Sequence, residues 1–459
     1  MSVLSHRRVT LAGSVVGAVL VALDGTVLTV ARPALQRDLG ASLAEAQWTS
    51  TGYLIAVASL LVLAGRLGDR YGHRRLFALG MLGFAATSAA IGCAPGIGWV
   101  VALRVVQGVC GALLQPATLG MLRAAYPPDR LGMPIALRTS AIGVSAAAGP
   151  LIGGVLTAQF GWRSVFFLGV VPAVVIALLV LCVREPEPSP AAETAAARPR
   201  GLDPVGAVLL GVALACFVTA LVTLPDAGRS AVTVVTTGGA IAATVCLVRH
   251  ERRTPDPLLP PSAVASPVVV AALGILLTAS AALFGALFVA SYFLQDVLGL
   301  DAFHTALSML PAALCMVLAA PLSAVLLRRL GARATTGAGM TLMTVGVFAF
   351  GRLDATATAL PVGACAFAMG TGFGTVMVTA TEVLVRRAAA SEAGVAGGLQ
   401  QTAMNVGPTL GTAVATTLLV SGRDLTASMG PTLTVLAVLT CAGAAAAIRL
   451  PRAGPVPAG

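Results

Sequence analysis

The sequence contains no lysine, and charged residues of either sign are scarce. Asp, Glu and Arg together make up 10% of the 459 residues, compared with about 25% in a typical soluble protein. This composition excludes a large soluble domain. The missing lysine also excludes a phosphate-binding loop of the Gly-x-x-x-x-Gly-Lys-Ser/Thr type, so we expect an ion gradient rather than a nucleotide as the energy source.

Clusters that could carry catalysis are missing as well. The eight cysteines all lie within apolar stretches and have neither metal nor disulfide spacing, so we interpret them as small packing residues. The histidines, His6, His73, His250 and His304, lie outside these stretches, and no Ser-His-Asp arrangement is visible. We therefore expect no enzyme, no metal and no cofactor.

Long apolar stretches dominate the rest of the chain. Hydrophobic residues make up 57% of it, and the mean hydropathy is +0.92. Stretches of about 20 apolar residues can span a bilayer as helices, and their continuous rather than alternating pattern favours helices over a β-barrel. The sequence therefore predicts an all-α integral membrane protein with the lipid bilayer as a partner. We predict fourteen spans, at residues 10–31, 46–64, 76–94, 98–121, 134–157, 163–183, 204–224, 231–248, 268–292, 304–327, 334–351, 358–381, 393–420 and 431–448.

The arginines predict the orientation of these spans, because cytoplasmic loops carry an excess of Arg and Lys. With both termini in the cytoplasm, 22 of the 29 arginines fall on the inner side and Arg104 lies deep in a span. Since the net charge of +11 is spread over short loops, it does not indicate a nucleic-acid partner. The six arginines on the outer side are Arg32, Arg37, Arg163, Arg229, Arg352 and Arg423.

Two polar breaks, at residues 184–203 and 249–261, divide the chain. We predict six-helix bundles at residues 1–183 and 262–459, with linkers and two extra transmembrane helices at residues 184–261. We expect these extra helices at the bundle periphery, without substrate contacts.

An internal repeat supports this division. Residues 324–333 align with residues 65–74, and Arg328 replaces the single acid of the first copy, Asp69. The second copy keeps Leu326, Arg329, Gly331 and Arg333. Two repeated bundles around a central cavity are a common transporter plan.

The first copy belongs to a short basic segment, residues 64–76, between predicted spans 2 and 3. Its arginines cannot lie in hydrocarbon, so the segment must lie at a membrane surface, and its glycines suit a tight reversal with close backbone approach. A loop that only fixes topology would explain the arginines alone. The segment closely resembles the loop between helices 2 and 3 of the major facilitator superfamily, Gly-x-Leu-x-Asp-Arg-x-Gly-x-Arg-Arg. The matching residues are Gly65, Leu67, Asp69, Arg70, Gly72, Arg74 and Arg75.

This resemblance implies a conformational latch that holds the outward-open state. It would consist of Gly65, Asp69, Arg70, Gly72 and Arg74. We expect Asp69 to lie near the start of predicted span 13, around residues 391–394. A helix start offers free N–H groups and a positive dipole end to a carboxylate.

Predicted spans 1 and 4 each contain a charge at membrane depth, Asp24 and Arg104. Asp24 lies roughly 20 Å along span 1 from the cytoplasmic side, and Arg104 about 9 Å along span 4 from the outer side. These depths are similar in a core about 30 Å thick, so the two groups could form a pair or share a water network. A carboxylate at this depth indicates function by default, here proton coupling; a structural salt bridge is the alternative.

Predicted span 5 contains the core Gly-Pro-x-x-Gly-Gly, formed by Gly149, Pro150, Gly153 and Gly154. Small residues of this kind allow close helix packing. The core also resembles the motif that marks antiporters of the major facilitator superfamily. With Leu23-Asp24-x-Thr26-Val27, the whole chain resembles the fourteen-helix drug:proton antiporters of that superfamily.

Other polar residues in the spans have open roles. Gln107, Gln115, Gln401 and Asn405 could line the cavity or form helix–helix hydrogen bonds. We interpret Glu382 as an i,i+4 partner of Arg386, and its part in coupling stays open.

The resemblance implies a monomeric secondary transporter of the bacterial plasma membrane. It would export a small hydrophobic substrate, a drug or an antibiotic, in exchange for protons. Export of an endogenous metabolite or lipid is the alternative.

Overall fold

The chain folds into helices. The computed structural model describes residues 3–127, 130–182, 203–223, 231–254, 257–258, 266–300, 302–388, 393–420 and 425–451, and every regular element in these ranges is helical. The helices are α1 (Val3–Asp38), α2 (Leu43–Tyr71), α3 (His73–Gly92), α4 (Ile97–Ala125), α5 (Gly132–Phe160), α6 (Ser164–Phe167), α7 (Val170–Cys182), α8 (Pro204–Thr223), α9 (Ala231–Glu251), α10 (Pro267–Tyr292), α11 (Ala302–Phe350), α12 (Ala359–Arg387), α13 (Ala393–Val420) and α14 (Leu425–Ala446). The predicted all-α class is confirmed.

Eleven stretches within these ranges are long and apolar enough to cross a membrane. α11 is one of these stretches, although its backbone is non-helical at Gly331, between predicted spans 10 and 11. The eleven stretches do not include α5 or α13 as full-length spans. The count of fourteen therefore stays a prediction. Most of the linker predicted at residues 184–203, and parts of the one at 249–261, lie outside the described ranges.

The basic segment at residues 64–76 is more helical than expected. α2 continues to Tyr71 and α3 begins at His73, so Gly72 alone makes the reversal, with a φ of 93°. Continuing the helix gives the backbone groups of this segment their partners, and the Gly72 N–H still donates to the Gly68 carbonyl at 2.9 Å. The loop predicted between spans 2 and 3, at residues 65–75, is thus wrong, and within this segment only Gly72 adopts the left-handed region that favours glycine.

The internal repeat has the same backbone conformation in both copies. Gly331 aligns with Gly72 and has a φ of 79° inside α11. We call the end of the molecule that carries these two residues the arginine-rich end. The cytoplasm is its predicted location.

At the end opposite the arginine-rich end, polar contacts stabilise the helices of the first bundle. Ser42 and Glu45 form a capping box that starts α2, with the Glu45 N–H 3.2 Å from the Ser42 hydroxyl. At the end of α1, Asp38 accepts a hydrogen bond from the Trp162 indole at 2.9 Å and one from Arg163. These two hydrogen bonds hold the pKa of Asp38 below its usual range.

Two seams join the first bundle (α1–α7) to the second (α10–α14). Along the first seam α2 packs on α13, and along the second α5 packs on α11 and α12. In the second seam Ala136 packs with Ala320, Ala324 and Val378, and the Ser140 hydroxyl donates to the Val317 carbonyl at 2.7 Å. The bundles are therefore closed against each other at the arginine-rich end, whereas Trp48, at the other end of α2, is 48% exposed.

The insert, α8 and α9, lies along the first seam. α8 contacts both α2 and α13, while α9 packs on α8. Val218 of α8 packs between Ala58 of α2 and Val406 of α13. The segment after α9 is held by Arg66, whose Nε donates to the Leu258 carbonyl at 2.9 Å and whose Nη2 donates to the Pro257 carbonyl. α8 therefore covers the seam from outside, and α9 is peripheral to both bundles.

Candidate functional site

A buried ionic cluster lies between α1, α2 and α4. Arg104 is 1% exposed, and its Nη1 donates to the Asp24 carboxylate and to the Gln107 side-chain oxygen, both at 2.6 Å. Its Nε donates to the Thr49 carbonyl at 3.0 Å. The sequence left open a direct pair or a shared water network, and the structure contains the direct pair.

Two further groups hold this cluster in place. The Arg104 guanidinium lies over the Tyr53 ring, 4.4 Å from its centroid, in a cation–π contact. The Gln107 amide donates to the Ser88 hydroxyl at 2.6 Å and lies 3.5 Å from the second Asp24 oxygen. Gln107 thus belongs to the ionic cluster. Because Arg104 of α4 contacts Asp24 of α1 and two residues of α2, a change of charge on Asp24 would alter the contacts that join α1, α2 and α4.

The glycines of α5 bring this helix against α1 next to Asp24. A Cβ on Gly149 would overlap the Thr26 side chain, and one on Gly153 would lie 3.0–3.1 Å from Val27 atoms. A Cβ on Gly154 would fit without overlap, because the nearest atom, on Val30, would be 4.0 Å away. The Pro150 side chain is not described. Gly149 and Gly153 therefore fix the distance between α5 and the helix that carries the acid.

A second cluster joins the two bundles at the arginine-rich end. The Asp69 carboxylate accepts hydrogen bonds from the Gly394 N–H at 2.8 Å and the Val395 N–H at 3.2 Å. It therefore lies at the start of α13, as the family resemblance implies. The carboxylate satisfies two of the free N–H groups of this helix start and meets its positive dipole end.

The hydrogen bonds of Asp69 to α13 require the backbones of α2 and α13 to lie close together. A Cβ on Gly65 would overlap the Gly394 carbonyl, so any side chain here would push α2 and α13 apart. The His73 ring lies 3.2 Å from Asp69 through its Nε2 and packs between Gly68, Gly120 and Gly394. No motif in the sequence indicated a role for His73, because only the fold brings these three glycines around its ring.

The arginines of this segment have separate contacts. Arg74 donates to the Val180 and Leu181 carbonyls at the end of α7. Arg70 lies over the Tyr71 ring at 5.5 Å. Arg74 therefore ties α3 to α7 within the first bundle, and the bond that crosses between bundles is made by Asp69.

The other candidate cavity residues form short contacts. The amide of Gln401, on α13, donates to the side-chain oxygen of Gln115, on α4 of the first bundle. Asn405 donates to the Gln401 carbonyl of its own helix at 2.8 Å. In this closed arrangement the two glutamines join the bundles.

Glu382 of α12 is 3% exposed and pairs with Arg386 at 3.4 Å. This confirms the expected i,i+4 contact. Its Oε2 has no hydrogen-bond partner and lies where a Cβ on Gly132 would be, at the start of α5 in the other bundle. Glu382 is thus a second buried acid at a contact between bundles.

Comparison with known proteins identifies the type of protein to which these clusters belong. Residues 15–412 match the family model described as Major Facilitator Superfamily. The chain is 38% identical to the tetracenomycin C resistance and export protein of Streptomyces glaucescens over 90% of this chain and 76% of that protein. It is 30% identical to the multidrug efflux pump LfrA of Mycolicibacterium smegmatis, over 93% of this chain and 84% of that protein.

The fold is similar to solved structures as well. The crystal structure of the human organic anion transporter MFSD10 (TETRAN) has a TM-score of 0.68 and 15% identity, with 96% of this chain and 99% of that chain covered.

Proposed function

The chain belongs to the Major Facilitator Superfamily, and from that membership we propose that it exports hydrophobic drugs or antibiotics in exchange for protons. The relatives named as an antibiotic resistance and export protein and as a multidrug efflux pump support export of a drug or antibiotic. The observation that carries the exchange with protons is the carboxylate of Asp24, held at membrane depth by a 2.6 Å bond to Arg104. A charge in a span is costly, so its presence favours a role in coupling.

The proposed cycle uses the two clusters in turn. A proton from the outside neutralises Asp24 and releases Arg104, which weakens the contacts that hold α1 and α4 in one arrangement. The bond of Asp69 to α13 then opens and the cavity turns to the cytoplasm. Loss of the proton there, with substrate bound, restores the ion pair and the closed seams. The structure described here, closed at the arginine-rich end, would be the outward-open member of this cycle.

We propose that the chain lies in the bacterial plasma membrane and crosses it fourteen times, as do the drug:proton antiporters that the sequence resembles. Gly331, with its φ of 79° inside α11, supports two spans there. The separate apolar clusters of residues 269–450 and of the first bundle support bundles at residues 1–183 and 262–459. We propose that one chain is sufficient for transport.

Drug export is tested by resistance. A drug-sensitive bacterial host that carries this gene should survive higher concentrations of at least one hydrophobic antibiotic in a panel. A collapsed proton gradient should remove the resistance without lowering the amount of protein. An unchanged panel at normal expression would contradict drug export.

The topology predicts an outer location for the residues between α8 and α9. A reporter fused at Asp226, which lies outside the described ranges, should therefore show alkaline phosphatase activity and no green fluorescence. A matched fusion at Arg252, after α9, should give the opposite result. A cytoplasmic signal at Asp226 would rule out fourteen spans with both termini inside.

A further inference from the structure

Arg138 of α5 is a buried cation outside both clusters. Its side chain is 2% exposed, and its Nε has no hydrogen-bond partner. None of the ion pairs in the described part of the chain includes it. Arg138 is one of the 22 arginines predicted for the inner side, but its side chain is buried rather than exposed at that surface.

Arg138 lies where the first bundle faces the second. Ile135, three residues earlier and on the same side of α5, packs with Leu122 of α4 and Val385 of α12. Ile142, four residues later, packs against the apolar cluster of the second bundle. Arg138 is therefore in the interior, where α4, α5 and α12 meet, and not on the lipid surface.

Arg138 is also separate from the proposed proton site. Gly149 of α5 contacts Thr26, two residues from Asp24. Eleven residues of helix separate Gly149 from Arg138, which is about 16 Å. A group bound at Arg138 would therefore not compete directly for Asp24.

Each acid buried near the spans in the described ranges has a partner other than Arg138, although one oxygen of Glu382 has none. Asp24 pairs with Arg104, and Glu382 pairs with Arg386. Asp69 bonds to the start of α13. A buried guanidinium with no counter-charge is strongly unfavourable, and at membrane depth it indicates a functional site. None of the described ion pairs supplies a counter-charge to Arg138.

We propose that Arg138 binds an ionised acidic group, a carboxylate or a phenolate, on the hydrophobic substrate. This inference rests on the transport function proposed above and names its substrate class as organic anions. The planar guanidinium with its paired donors suits such groups better than any other side chain. When the seams open at the arginine-rich end, Arg138 faces the entering substrate. After they close, the anion occupies the place of the absent counter-charge.

The test compares two dyes with the same xanthene ring system and opposite charge, fluorescein and rhodamine 6G. Binding to the purified full-length protein in detergent is measured by fluorescence anisotropy. Wild type should bind fluorescein, and Arg138→Met should bind it about tenfold more weakly or worse, because a charge-assisted pair is lost. Rhodamine affinity should stay the same or rise. Arg138→Lys should bind fluorescein with intermediate affinity. Arg37→Met, which removes an exposed charge bonded to the Pro33 carbonyl, is the matched control and should bind both dyes as wild type does.

Folding is checked separately by thermal unfolding. Arg138→Met should melt at or above the wild-type temperature, since it removes an uncompensated charge, and fluorescein should raise the Tm of wild type alone. If the Met variant aggregates, Arg138→Gln takes its place in both assays.

Equal fluorescein binding by wild type and the folded variants would overturn the inference, as would a parallel loss of both dyes. Wild-type protein that binds neither dye would also contradict it. If Arg138→Met selectively loses fluorescein binding but the wild-type protein confers no resistance to any drug, the anion site at Arg138 is supported and the proposed drug export is contradicted.

Discussion

Asp24→Asn should abolish uphill efflux in vesicles with an imposed pH gradient, while the protein still inserts and folds. Asparagine resembles the protonated acid in shape and cannot cycle between charged and neutral forms. Arg104 would lose its counter-charge but keep the Thr49 carbonyl and the Gln107 oxygen. Breaking a buried pair costs on the order of 3–5 kcal/mol, so we expect a lower Tm and a folded protein. Substrate binding and exchange down a substrate gradient should remain.

The matched control is Asp38→Asn, the same change on the same helix. Asp38 lies at the end of α1 and bonds to Trp162 and Arg163. It is therefore outside the membrane-depth cluster, and its variant should retain uphill efflux within about twofold. Wild-type efflux from Asp24→Asn at equal expression would rule out Asp24 as the proton carrier. Glu382→Gln would then be the next variant to test, because Glu382 is also a buried acid within a described span.

The sequence predicted these two clusters to different extents. Asp24 and Arg104 stand out because charges interrupt long apolar runs, and helical rise places them at similar depths. The contact of Asp69 with α13 joins residues 325 positions apart, so spacing alone could not predict it. The family resemblance supplied it. No resemblance pointed to the hydrogen bond between Gln115 and Gln401. Each glutamine alone could equally form a hydrogen bond within its own bundle or to the other bundle.

The helices of the insert show a further limit of the sequence. α8 and α9 have apolar residues all around the helix, and no face is distinguished by its pattern. The peripheral position of α9 agrees with what we expected for both helices. α8 approaches α2 closely at small residues such as Gly211, where an added Cβ would lie 3.3 Å from the Ser59 carbonyl. The absence of substrate contacts from both helices stays a prediction.

Arg138 was missed for a related reason. It lies four residues inside predicted span 5, close enough to the membrane surface to count as an anchoring charge. Its burial depends on α4 and α12 closing over α5, which only the three-dimensional arrangement shows.

Asp69→Asn should shift the protein away from the closed state at the arginine-rich end. Hydrogen bonds to a charged group contribute about 1.5–3 kcal/mol each, and an amide keeps one acceptor oxygen without the charge. The loss of one such bond corresponds to about a tenfold shift between closed and open states. Transport should fall by a similar factor, and substrate affinity in detergent should change little, because Asp69 is at the end of the path.

The shift can be measured as a distance between spin labels on the two bundles. Tyr71, at the end of α2, and Arg387, at the end of α12, are both exposed and suit labelling in a background without the eight cysteines. Wild type should give mainly the short distance expected from this structure, and Asp69→Asn should give a second, longer one.

Gly65→Ala should have the larger effect on the same distance. Its methyl group would overlap the Gly394 carbonyl, and two helix backbones cannot move aside as a flexible side chain can. The closed state should therefore become the minor one, and transport should fall to background. Gly337→Ala is the matched control, because its methyl group would meet nothing within 4 Å. A Gly65→Ala protein with the wild-type distance and wild-type transport would show that the close approach of α2 to α13 is not part of the cycle.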